Sequence, residues 1–147
     1  MIKETYAGYK EIIEKQGFYI ASTVGTSMYP LIKEGIDTVK IVPKVGRCKK
    51  YDVVLFQRKN GQYILHRIIK VRRHSYDIRG DNVYHVERHI TDDMIIGVVD
   101  TIYKGEKPIS VTSPVYIDYV NNTLKNLKKR RNRYYFRKIL QKLHLIK

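Results

Sequence analysis

Six short runs of β-branched and aromatic residues, separated by turn residues, constrain this chain more than any other feature. They are Phe18 to Val24, Thr38 to Val42, Val53 to Arg58, Tyr63 to Val71, Tyr76 to Arg79 and Met94 to Tyr103. Such residues suit a pleated, half-buried surface. Asn60-Gly61 falls between two of the runs and predicts a hairpin with a two-residue type I′ turn, in which both central residues take φ > 0. Helical spacing occurs outside the runs. Ile2, Tyr6, Tyr9, Ile12 and Ile13 predict an amphipathic helix over residues 3 to 16, stopped near Gly17. Residues 107 to 114, KPISVTSP, read as a connector. A second helix is expected from about Tyr116, with Val120, Leu124 and Leu127 as its apolar stripe. The expected class is therefore mainly β (α+β), a twisted, partly closed antiparallel assembly with a helix at each end. A β-rich domain with its N-terminal helix would span 1–106, and a connector with a basic helical tail 107–147.

The chain has 147 residues, enough for one domain with a real core. Its net charge of +15 is unevenly placed: Asn121 to Lys147 holds ten Lys or Arg and no Asp or Glu. Lys128, Lys129, Arg130, Arg131 and Arg133 are the expected contacts of this tail with an anionic membrane surface, a membrane partner or another polyanion. Nucleic acid ranks below these. No secretory leader is evident. The uncharged stretch Gly17 to Ile32 is 16 residues rich in Gly, Ser and Thr, too short and polar to span a bilayer. A lone Cys48 excludes an intramolecular disulfide and fits a reducing compartment. The expected location is cytoplasmic, or peripheral at the cytoplasmic face of a membrane.

Three stretches could carry chemistry. TVGTSMYPLI places Ser27 between Gly25 and Pro30, a corner where backbone can approach a substrate closely. A Ser there is more often plain turn chemistry, and it becomes a nucleophile only with a base within reach. YILHRIIKV sets Ile64, His66 and Ile68 on one strand face, where apolar surroundings disfavour the imidazolium and keep the ring a proton acceptor. A lone His there is more often a satisfied core residue. Asp81 lies in RGDN, itself ordinary turn chemistry. His85 and His89, with Asp93 beyond, would suit metal ligands only on a helix, which the flanking strand and turn residues argue against. No metal or cofactor is expected.

Taken in order, GTSMYP, EGIDTVKIV, KKYDVVLFQ, LHRII, RGDN and IIGVVD resemble the serine-peptidase superfamily of type I signal peptidases and LexA-like self-cleaving repressors. The resemblance runs from about Val24 to Tyr103. His66 stands where bacterial signal peptidases and the repressors have a Lys base, which is similar to the Ser-His branch of the endoplasmic reticulum and archaea. The resemblance implies a serine endopeptidase cutting a leader or signal-type peptide after small residues, with a peptide or protein as substrate. It implies Ser27 as nucleophile, His66 as base and Asp81 as its support, with Glu87, Asp92 and Asp93 as candidates for a second acidic residue. Gly25 replaces the usual hydroxyl residue two before the nucleophile. The oxyanion would then rest on the N–H groups of Ser27 and Met28, with Thr26 nearby. Tyr51-Asp52 replaces the usual Gly-Asp before VVLF. Other classes remain open: a regulator cutting itself at Ala7-Gly8, a catalytically silent peptide-binding module, or a nucleic-acid-binding protein using its tail.

Overall fold

The computed structural model describes residues 8–144; Ala7, and with it half of the Ala7-Gly8 dipeptide, lies outside them. Helix α1 spans Gly8–Gln16, and the strands are β1 (Tyr19–Ser22), β2 (Thr38–Val42), β3 (Val53–Gln57), β4 (Tyr63–Val71), β5 (Tyr76–Arg79), β6 (Glu87–Ile90), β7 (Ile95–Lys104) and β8 (Lys107–Ser110). Helix α2 closes the order over Pro114–Lys142. It starts where Pro114 follows the N-cap Ser113, whose hydroxyl accepts from the Tyr116 N–H. All strands pair antiparallel, in the order β1-β2-β7-β3-β4-β5-β6, and β8 pairs with the far half of β7. Among the described residues the sheet has two free ends, so it is open where partial closure was expected, and the class is α+β.

Two further sequence expectations change. Residues 107–110 form a strand rather than only a connector. The Asn60-Gly61 hairpin is not type I′. Gly61 has φ +88° while Asn60 does not enter the positive region, the Gly61 N–H donates to the Arg58 carbonyl at 2.9 Å, and the Arg58 N–H to the Gln62 carbonyl at 2.8 Å. This is a three-residue loop with one left-handed glycine, the bulged alternative to a two-residue turn.

Alternation on β3 sorts the core. Val53 and Leu55 join Ile13, Met28, Ile32, Val39, Ile41, Tyr116 and Val120 in one cluster. Val54 and Phe56 join Cys48, Ile68, Tyr76, Ile78, Ile90 and Ile95 in the other. Residues two apart share a face, so β3 is covered on both sides and reads as an unbroken apolar run. Both helices serve the first cluster. Burial of Met28, Leu31 and Ile32 there fastens the loop that carries Ser27.

Candidate active site

Ser27 sits at the tip of the loop between β1 and β2. Gly25 takes φ +87°, a conformation that a side chain would resist. Three residues on from Gly25, the Met28 side chain goes into the core, so the half-buried Ser27 is held between a left-handed corner and an apolar anchor. Thr26 and Pro30 stay exposed. The loop is tied down from β5's far end. The Asn82 N–H donates to the Ser27 carbonyl at 2.8 Å, and the Asn82 side-chain amide donates to the Thr26 carbonyl at 3.2 Å. Among the described residues, nothing accepts a hydrogen bond from the main-chain N–H of Ser27 or Met28.

His66 lies on β4 directly across from Val54, beside the Phe56 ring at 6.4 Å. Only 7% of it is exposed. Burial pulls its pKa below the ordinary imidazole value; Glu87 opposes this, the Arg58 cation adds to it, and Asp81 opposes it weakly. The neutral ring is therefore the favoured form near pH 7. Gly80 shows where Ser27 and His66 meet. A Cβ built on it would lie 2.6 Å from the Ser27 carbonyl oxygen and 3.0 Å from His66 Nε2. The main chain of the candidate nucleophile and the outward nitrogen of the candidate base thus close on the space left by one missing side chain.

The two candidate carboxylates have different surroundings. Asp81 is 3% exposed and receives both Nε and Nη2 of Arg67, each at 2.7 Å, and the Tyr119 hydroxyl at 3.1 Å. Arg67 is 1% exposed, and its Nη1 also donates to the Tyr51 carbonyl and the Tyr116 hydroxyl, both at 3.0 Å. The structure therefore puts Asp81 on Arg67, with no hydrogen bond to His66. Glu87, on β6, is the carboxylate that faces the ring, its Oε1 at 3.7 Å from His66 Nδ1. That is beyond hydrogen-bond length, and Nδ1 is buried with no partner among the described residues. Arg58 clamps Glu87 through two parallel bonds, Nε to Oε2 at 2.9 Å and Nη2 to Oε1 at 2.5 Å, and these hold the Glu87 carboxyl below its usual range. Asp92 and Asp93 are engaged elsewhere: Asp92 accepts from the Tyr76 hydroxyl at 2.6 Å, and Asp93 from the Thr91 hydroxyl.

Ser27 and His66 line a cavity of about 300 Å³. Its walls come from β1 (Tyr19, Ala21, Ser22), the loop that follows it and β4 (Tyr63 to His66), and Val39, Ile41 and Leu55 contribute apolar surface. Among the described residues β1 is bonded only to β2, which leaves its other edge unpaired by any of them. Sequence reasoning did not single out Arg58 or, as a tether, Asn82. Asn82 belongs to the RGDN stretch, but its role needs the Ser27 loop in place. Tyr51, at the position where the resemblance expected Gly, takes φ +79°, so the backbone has the shape that glycine favours without glycine there. His89 also has positive φ (62°) and lies on a strand rather than a helix; among the described residues no group of three His, Cys, Asp or Glu is arranged to hold a metal. No described helix is long and apolar enough to cross a membrane.

Compared with known proteins, the chain matches no family model, no curated protein and no solved structure.

Proposed function

We propose that this chain is a serine endopeptidase of the signal peptidase and LexA-like type, with Ser27 and His66 as a dyad. The observation that carries the reading is the approach of the Ser27 main chain and His66 Nε2 over Gly80, at the wall of a cavity beside an unpaired strand edge. An extended peptide would add along β1 and place a small side chain against the apolar wall. Neutral His66 takes the Ser27 Oγ proton through Nε2 as Oγ bonds to the peptide carbonyl carbon. The oxyanion faces the uncommitted N–H groups of Ser27 and Met28. The imidazolium then gives its proton to the departing amine as the peptide C–N bond breaks, and water, deprotonated by the same ring, releases the acyl group. Glu87 stabilises the imidazolium and draws Nδ1 toward itself when the ring is charged; Arg58 keeps that carboxylate ionised and aimed. Asp81 acts one step away, by fixing Arg67 and so the strand position next to His66.

The basic tail fits a cytoplasmic-face role at an anionic membrane surface: α2 carries Lys128, Lys129, Arg130, Arg131 and Arg133, and its second half leaves Tyr135, Phe136 and Ile139 exposed. Ser27→Ala is expected to abolish labelling by a fluorophosphonate probe, and peptide cleavage, while leaving the circular dichroism spectrum unchanged. A folded Ser27→Ala protein that is labelled or cleaves like the parent refutes the assignment.

A further inference from the structure

A second cavity, of about 280 Å³, lies between α2 and the Ser27 loop. Lys129, Arg130 and Arg133 line it from the helix, with Thr123 and Asn126, and Pro30 and Asp81 close it from the body. Among the described residues none of the three cations forms a salt bridge; Arg130 only donates to the neutral Asn82 side-chain oxygen, at 3.4 Å. Asp81 does not supply the missing counter-charge, since both its oxygens are taken by Arg67 and one also by Tyr119. The neighbouring face of α2 repeats the excess. Arg79 on β5 is 8% exposed, no described residue accepts a hydrogen bond from its guanidinium, and burial, then Arg131, pulls its pKa down.

We propose that this cavity binds a phosphate group, held by Lys129, Arg130 and Arg133, and that binding draws Arg130 away from Asn82, the residue that tethers the Ser27 loop. Two forked guanidiniums and an ammonium converging on one pocket suit a tetrahedral dianion better than a single carboxylate, because each guanidinium can give two parallel N–H bonds. Thr123 and Asn126 add neutral hydrogen-bonding groups. The volume exceeds that of a bare phosphate, leaving room for the first atoms of whatever carries it. Asn82 is the link to the active-site loop: its side chain joins Arg130 to the Thr26 carbonyl, and its main chain holds the Ser27 carbonyl.

The proposal stands apart from the peptidase reading, because its readout is an amide resonance and not cleavage. Titration of the full chain with inorganic phosphate at constant ionic strength should give saturable shifts of the Asn82 side-chain amide and the Arg130 Nε–H in a ¹H–¹⁵N spectrum. Lys129→Gln with Arg133→Gln should weaken phosphate binding by about tenfold or more, since each removed contact is a charge-assisted bond. Arg137→Gln with Lys138→Gln, equal in charge but beyond the cavity, should leave it unchanged. A second arm adds phosphatidylcholine vesicles containing phosphatidic acid. Competition between free phosphate and the vesicles assigns the site to a lipid headgroup, and absence of competition to a soluble phosphate compound; either supports the site. Shifts that never saturate, or that fall equally in both double variants, overturn it.

Discussion

Gly80→Ala tests the proposed active-site geometry without altering either proposed reacting group. Gly80 has no positive φ, so alanine brings no backbone penalty there, and its whole effect is one methyl placed where Ser27 and His66 converge. A carbon and a carbonyl oxygen sit in ordinary contact at about 3.3 Å, so from 2.6 Å the Ser27 carbonyl must retreat by about 0.7 Å. His66 Nε2 and a Val83 methyl, each at 3.0 Å from the same position, crowd the methyl further. The retreat stretches the 2.8 Å bond from the Asn82 N–H. Overpacking of this kind costs about 1–3 kcal/mol. A misplacement near 1 Å costs about a hundredfold in rate, so fluorophosphonate labelling of Ser27 should slow by roughly 30- to 100-fold. Gly97→Ala is the control: its Cβ would meet an Ile41 methyl at 2.6 Å and the Val42 carbonyl at 2.8 Å, an equal crowding that touches neither Ser27 nor His66. Urea unfolding of both variants, with labelling measured well below the transition, separates the two effects. Both should lose stability, and only Gly80→Ala should lose its labelling rate. Labelling of Gly80→Ala at the parental rate, or equal slowing in both, refutes the argument.

Four further outcomes follow from the surrounding residues. Asp81→Asn leaves the Arg67 guanidinium buried without its counter-ion and should cost about 3–5 kcal/mol in urea unfolding, whereas a loss under 1 kcal/mol would show that Arg67 finds another partner. Glu87→Gln removes the charge that chiefly raises the His66 pKa and leaves Arg58, which lowers it. The His66 Cε1–H should then titrate at lower pH than in the parent by proton NMR, and an upward move contradicts the site electrostatics. In the parent, because the folded pKa lies below the unfolded one, the contribution of His66 to stability is present above about pH 6.5 and falls as acid protonates the unfolded chain first; the thermal midpoint of His66→Gln should depend less steeply on pH there. Tyr51→Gly relieves a left-handed tyrosine that costs about 1–2 kcal/mol, against about 0.4–1 kcal/mol for the freer unfolded glycine, so the midpoint should rise slightly; a fall of several degrees would show that the ring's contacts outweigh its backbone.

The strands most legible in the sequence are those in the middle of the sheet. Thr38 to Val42, Tyr63 to Val71 and Tyr76 to Arg79 coincide with β2, β4 and β5, because two-sided or alternating burial leaves a dense apolar pattern. Glu87–Ile90 and Lys107–Ser110 left no such pattern. The first is ERHI at the sheet's end, and the second holds a Pro, which a strand tolerates only where its nitrogen has no ladder bond to give. Ser27 and His66 were readable as residue types, and their convergence came from resemblance rather than spacing. The support of His66 was harder to read. RGDN points to Asp81, yet Arg67 lies on the opposite face of β4 from His66 and a buried guanidinium must find a carboxylate first. That consecutive His-Arg pair was the available signal. Arg58 was not legible, since its clamp on Glu87 depends on how the 58–62 loop reaches β6.

Consecutive placement of His66 and Arg67 makes β4 sensitive to misalignment. A slip of one residue against β3 would swap which of the two looks toward the cavity and strand a permanent cation among hydrocarbon. Only the native alignment brings that cation to Asp81, Tyr51 and Tyr116 together, so a misfolded copy meets a solvation cost before it can present the wrong side chain to the cavity.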